Sequence, residues 1–160
     1  WDAKKTQRLN EAFEGKLFFL QNNFAAYQDY ALVGTKGYTF EGPYYLDRWG
    51  NVAGWDEEQE EQAKKLVARE MDRLRESFRM AEEAGYRKFI MFLHYPPTNI
   101  LEETSPFTAI AEEYGVTAVV YSHCHGERRF GDSIRGTFHG ISYMLVSGDY
   151  LDFHPARILP

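Results

Sequence analysis

The chain has 160 residues, 44% of them apolar and 16% aromatic, with a formal charge of −6 and a pI near 5.4. That balance suits one ordinary domain with a sizeable core, and it argues against non-specific binding to nucleic acid or an anionic membrane, which needs cationic surface. No stretch approaches the roughly 20 apolar residues of a membrane span, and the single cysteine, Cys124, excludes an internal disulfide and suits a reducing, cytoplasmic compartment.

Asp2 to Glu14 reads as a short helix, with Leu9 and Phe13 four apart and Gly15 at its end. Lys16 to Asn22, Phe24 to Gln28 and Asp29 to Gly34 read as three short strands, with Asn22-Asn23 and Gln28-Asp29 as tight turns. Thr35 to Trp55 reads as a long loop, and loops of that length in compact domains are often functional. Its aromatic residues Tyr38, Phe40, Tyr44, Tyr45, Trp49 and Trp55 either wall a cleft or simply pack.

The clearest element is a helix over Asp56 to Ala84. Val67, Met71, Leu74, Phe78 and Ala81 recur at spacings of four and three, which gives one apolar stripe. Asp56 with Gln59 resembles a capping box, the acidic first turns suit the helix dipole, and Gly85 stops the helix. Lys88 to Leu93 then reads as a buried strand. Ser105 as N-cap before Pro106 opens a helix through Tyr114, closed by Gly115. Thr117 to Tyr121 is the next buried strand, and Arg129 to Ile134 and Ile141 to Ser147 read as antiparallel pieces. The order implies an α/β fold, one sheet with covering helices.

Both buried strands end in histidine beside proline or glycine: Phe92-Leu93-His94-Tyr95-Pro96-Pro97 and Val119-Val120-Tyr121-Ser122-His123-Cys124-His125-Gly126. Strand ends are where open α/β sheets place their sites. On an extended backbone His123 and His125 point to the same side. With His94 they make three imidazoles for one or two metal ions, and Cys124 between them points the other way, into packing.

These motifs resemble the second half of a calcineurin-like metallophosphoesterase, the small bacterial phosphohydrolase type. There a lone histidine follows one strand and Gly-His-x-His follows the next, matched here by His94 and by Ser122-His123-Cys124-His125, with serine in place of glycine. Gly34-Thr35-Lys36-Gly37-Tyr38 and Asp149-Tyr150-Leu151-Asp152-Phe153 extend the likeness over most of the chain. The resemblance implies a layered α/β/β/α sandwich and a dinuclear phosphoester hydrolase. His94 and His123 would ligate one divalent ion (Mn, Fe or Zn) and His125 the other. Two such ions about 3.5–4 Å apart supply a nucleophile and clamp the phosphate oxygens.

The family's earlier motifs, Asp-x-His, Gly-Asp and Gly-Asn-His-Asp/Glu, do not occur upstream of His94. The likeness therefore implies a C-terminal half, inactive alone, whose remaining ligands come from a missing N-terminal half, and which pairs with that half or with itself. Lys36 and Arg128 are the candidate phosphate contacts. One of Asp149 and Asp152 is expected to hold backbone or a ligating histidine, whereas His139 and His154 match no ligand position. A cupin wants its glutamate farther from the second histidine than Glu127 lies from His125, and a histidine-triad hydrolase wants a third alternating histidine where Glu127 stands. The remaining alternative is a non-catalytic interaction scaffold of the same fold.

Overall fold

The computed structural model describes residues 3–38, 45–46, 52–53, 57–100, 104–131 and 133–159. Helix α1 (Ala3–Ala12) leads to a hairpin of β1 (Phe24–Tyr27) and β2 (Tyr30–Thr35). Tyr27 pairs with Tyr30, so the turn is the two-residue Gln28-Asp29 pair, with Gln28 at φ 53°; such tight hairpin turns favour positive φ.

The strand expected over Lys16–Asn22 does not form. Side-chain amides capture its backbone instead. Asn10 Oδ1 accepts from Phe19 N–H over 2.6 Å, Asn23 Oδ1 accepts from Gln21 N–H over 2.7 Å, and Asn23 Nδ2 donates to Phe19 O over 3.0 Å. These local bonds replace the ladder partners a strand would need.

Within the segment expected as a loop, β3 (Tyr45–Leu46) and β4 (Val52–Ala53) pair antiparallel. The side chains of Phe40, Tyr44, Tyr45, Trp49 and Trp55, and the expected Asp56–Gln59 capping box, lie outside the described residues. Tyr38 packs half-buried against the main core.

Helix α2 (Glu57–Glu83) buries Leu74, Phe78 and Ala81 completely, with Val67 and Met71 half-buried beside them, as the stripe requires. It ends where Gly85 takes φ 93°; Gly85 N–H then bonds Glu82 O, and Tyr86 N–H bonds Ala81 O. That paired pattern is the glycine-dependent stop expected from the sequence. β5 (Lys88–Leu93) follows, then α3 (Pro106–Glu113), whose N-cap Ser105 accepts from Phe107 and Thr108 N–H while Thr108 Oγ1 accepts from Ser105 N–H. β6 (Ala118–Tyr121), α4 (Glu127–Gly131), β7 (Gly136–Phe138) and β8 (Ile141–Leu145) complete the chain.

Two expectations fail in this last part. Arg129–Ile134 is not a strand: Arg129 and Phe130 N–H both bond Gly126 O, and Ser133 Oγ bonds Arg129 O, so the backbone coils. The Ile141 strand is not antiparallel to its inner neighbour. It runs parallel to β6 and antiparallel to β7.

One six-stranded sheet of order β1-β2-β5-β6-β8-β7 results, its four central strands parallel and both edges antiparallel. The rows Val33–Met91–Val119–Tyr143 and Thr35–Leu93–Tyr121–Leu145 run across the face covered by helices. Phe78 stacks on Tyr114 at 4.1 Å and meets Phe89 edge-on at 5.2 Å, which locks α2 and α3 onto that face. Gly34 allows β2 to lie close to β5, since a Cβ there would stand 2.6 Å from Phe92 O.

The opposite face is covered more thinly. Ile90, Ala118 and Val120 are buried there, but Tyr30, Leu32, Phe92, Met144 and Val146 are only half-buried, with Ile158 and Leu159 against them. Among the described residues no helix is long and apolar enough to cross a membrane.

Candidate functional site

Because β2, β5, β6 and β8 are parallel, their C-terminal ends share one edge of the sheet. Lys36 follows β2, His94 follows β5, His123 and His125 follow β6, and Asp149 follows β8. This is the edge at which open α/β sheets gather their ligands.

Backbone bonds fix the approach. Lys36 O accepts from both His94 N–H (3.2 Å) and Tyr95 N–H (3.1 Å), and His94 O accepts from Ser122 N–H over 3.3 Å. His94 and His123 then meet, His94 Nε2 to His123 Nδ1 at 3.2 Å, while Ser122 Oγ lies 3.4 Å from His94 Nδ1. Tyr95 packs against both rings, with centroids at 4.9 Å from His94 and 4.3 Å from His123, and the Lys36 ammonium lies 5.3 Å over the Tyr95 ring. Tyr95 is a site residue that the strand-end motif contains but that chemistry-bearing residue types do not flag.

The backbone at His123 is not extended. Its φ is +68°, and Cys124 N–H donates to Ser122 O over 2.8 Å, closing a three-residue turn centred on the histidine. A turn of this hand is rare and strained for a residue with a side chain, at a cost of about 1–3 kcal/mol. The two-residue alternation expected for His123 and His125 is therefore broken. His123 turns to His94, whereas His125 reaches the Asp149 carboxylate through Nδ1 at 2.8 Å. Cys124 points into the core, as its place between them implies.

Asp149 also accepts from Gly126 N–H at 2.9 Å. Desolvation works against its ionised form, but the Gly126 N–H and the His125 ring outweigh it and hold the carboxyl below its usual range. The contact fixes the His125 ring through Nδ1 and leaves Nε2 without a hydrogen bond among the described residues, the arrangement in which carboxylates hold metal-ligating histidines. Of the two aspartates weighed, it is Asp149 that holds a histidine. Asp152 is exposed at a turn, His139 bonds the surface Glu112 at 2.8 Å, and His154 is exposed. Arg128 is exposed on α4, and no hydrogen bond or ion pair ties it to the histidines among the described residues.

The His94–His123 contact has the length of a ring-to-ring hydrogen bond, and that length is also compatible with two ligands on one ion. Two nitrogens bound at about 2.0–2.1 Å to one ion stand about 2.8–3.4 Å apart for bond angles of about 90–110°, and the observed 3.2 Å lies inside that interval. Among the described residues no three His, Cys, Asp or Glu side chains form a ligand group. The structure thus joins two of the three expected imidazoles directly and holds the third apart, on Asp149.

Desolvation lowers the His94 pKa from 6.5, and nearby His123, Lys36 and His125 lower it further. Between that lowered value and 6.5 the unfolded chain binds more protons, so this group's contribution to stability holds above 6.5 and is lost as pH falls through the folded value. In metal-free protein, an NMR titration of the imidazole carbons is expected to give His94 a midpoint below that of free histidine. A midpoint at or above 6.5 would contradict the desolvated, cation-facing setting.

Searches against protein-family models, curated proteins and solved structures return no match.

Proposed function

We propose that the chain contributes the histidine side of a metal-dependent phosphoester hydrolase of the calcineurin-like type. The observation that carries the reading is the His94–His123 pair, 3.2 Å apart at the ends of neighbouring parallel strands. The strained turn at His123 and the Asp149 clasp on His125 support it, because strain and oriented imidazoles of this kind gather at functional sites.

His94 Nε2 and His123 Nδ1 would hold one ion and His125 Nε2 would face a second. A bound divalent pair supplies a nucleophile at neutral pH and neutralises phosphoryl charge. Lys36 adds a cation beside His94, Tyr95 walls the pair on one side, and Asp149 keeps His125 in the ligating tautomer. Imidazoles alone bind metals such as manganese weakly, so the carboxylate ligands come from residues outside those described. The thinly covered face bearing Leu32, Phe92 and Met144 is where the second sheet of the sandwich would pack, whether it comes from further chain or from a second copy.

The test is hydrolysis of a generic aryl phosphate by the complete gene product with manganese. Activity is expected, with loss in chelator and a fall of orders of magnitude in His125→Ala. A complete protein that binds no metal and turns over no ester would favour the non-catalytic scaffold.

A further inference from the structure

Beside His94 lies a recess of about 360 Å³, lined by Thr6, Phe19, Leu20, Gln21, Thr35 and Lys36. Its volume sits at the lower end of the range for small-molecule sites. Phe19 and Leu20 are half-buried and give it apolar wall, and the Leu20 Cβ is held over Gly34 at the end of β2. Lys36 is exposed, and no described carboxylate pairs with it.

Gln21 is the unusual member. It is 5% exposed, and its Nε2 has no hydrogen-bond partner among the described residues. The Thr35 hydroxyl, by contrast, is bonded to Glu70. A buried amide donor left without an acceptor is rare in folded proteins. Here it belongs to a side chain that lines a recess opening beside a histidine pair.

We infer that this recess is the subsite for the leaving-group side of a small phosphoester, one with an apolar body and a hydrogen-bond acceptor that Gln21 Nε2 meets. The inference rests on the phosphoesterase reading for the position of the phosphoryl group, at His94 and Lys36. A cavity of about 150 Å³ takes one benzene ring, so the recess has room for a body of about two rings, the size of a small-molecule ester.

Calorimetric titration of the whole chain in zinc, which imidazoles hold more firmly than manganese, with inorganic phosphate, phenyl phosphate and 4-acetylphenyl phosphate, separates the parts. Phenyl phosphate is expected to bind about tenfold tighter than phosphate through apolar burial, and the acetyl carbonyl is expected to add a further severalfold gain. Gln21→Leu should erase the acetyl gain and leave the phosphate affinity unchanged, and Leu20→Ala should shrink the phenyl gain. As a check independent of any variant's folding, the Gln21 side-chain NH2 resonances of zinc-loaded wild-type protein should shift with 4-acetylphenyl phosphate and not with phosphate. Aryl esters binding no better than phosphate, or an unmoved Gln21 amide, would overturn the subsite and leave the metal site standing. Absence of phosphate binding in zinc, with the Gln21 amide unmoved by the aryl ester, would overturn both.

Discussion

His123→Gly is expected to give a chain that is more stable than His123→Ala and equally unable to hold a metal ion. The two substitutions remove the same imidazole, so each should lower zinc affinity by more than about 100-fold, since even residues that only orient a ligand are worth about 10–100-fold. They differ in the backbone. At φ +68° alanine keeps the strain of the turn closed by Cys124 N–H and Ser122 O, whereas glycine adopts that conformation freely. Glycine should therefore exceed alanine by about 1 kcal/mol in urea denaturation with chelator present, the margin narrowed by the greater entropy of unfolded glycine. Asp149→Asn is the contrasting change. It leaves all three histidines but loosens the His125 ring, and is expected to weaken zinc by about 10–100-fold. If alanine and glycine variants prove equally stable, the turn stores no strain, and the case for a backbone shaped by function loses its main support.

The parts of the fold legible in the sequence are those in which one local rule acts without competition. The apolar stripe of α2, the Ser105 cap and the glycine stops at Gly85 and Gly115 all depend on residues within a turn or two of each other. The strands β5 and β6 read correctly because parallel strands buried on both faces are continuous apolar runs. The Lys16–Asn22 strand failed in part through a side chain far from where its effect falls. Asn10 bonds Phe19 and helps to deny the Lys16–Asn22 segment a ladder, and nothing in the segment itself announces that. Around the site, the identities of His94, His123 and His125 were legible, but their geometry was not. Positive φ is uncommon even for histidine, though histidine is enriched there, so the turn that sends His123 to His94 and His125 to Asp149 has no sequence signature. Gln21 was hidden for the same reason. Its significance lies in an absent partner, which only the folded chain reveals.

Arg73→Leu is expected to cost about 3 kcal/mol, the largest stability loss predicted here for a residue outside the apolar core. Glu70 is buried on the core side of α2, where its carboxylate accepts from the Thr35 hydroxyl of β2 and pairs with Arg73 of the same helix at 2.5 Å. Removing one partner of a buried pair strands the other, at about 3–5 kcal/mol. The lower end applies because Arg69 remains 3.6 Å away, on a side chain that is itself mostly exposed. A double change, Glu70→Gln with Arg73→Leu, should recover most of the loss. Its amide oxygen still accepts from Thr35, and no charge is left buried. The consequence reaches the site through one short path: Thr35 ends β2, and the next residue, Lys36, supplies the carbonyl that holds the His94 and Tyr95 amides. Urea denaturation measures the stability terms, and hydrogen exchange at His94 and Tyr95 reads the path. Faster exchange at those two amides in Arg73→Leu, beyond what the global loss explains, would mean that Glu70 braces the histidine edge. Exchange that merely follows global stability would confine Glu70 to joining α2 and β2.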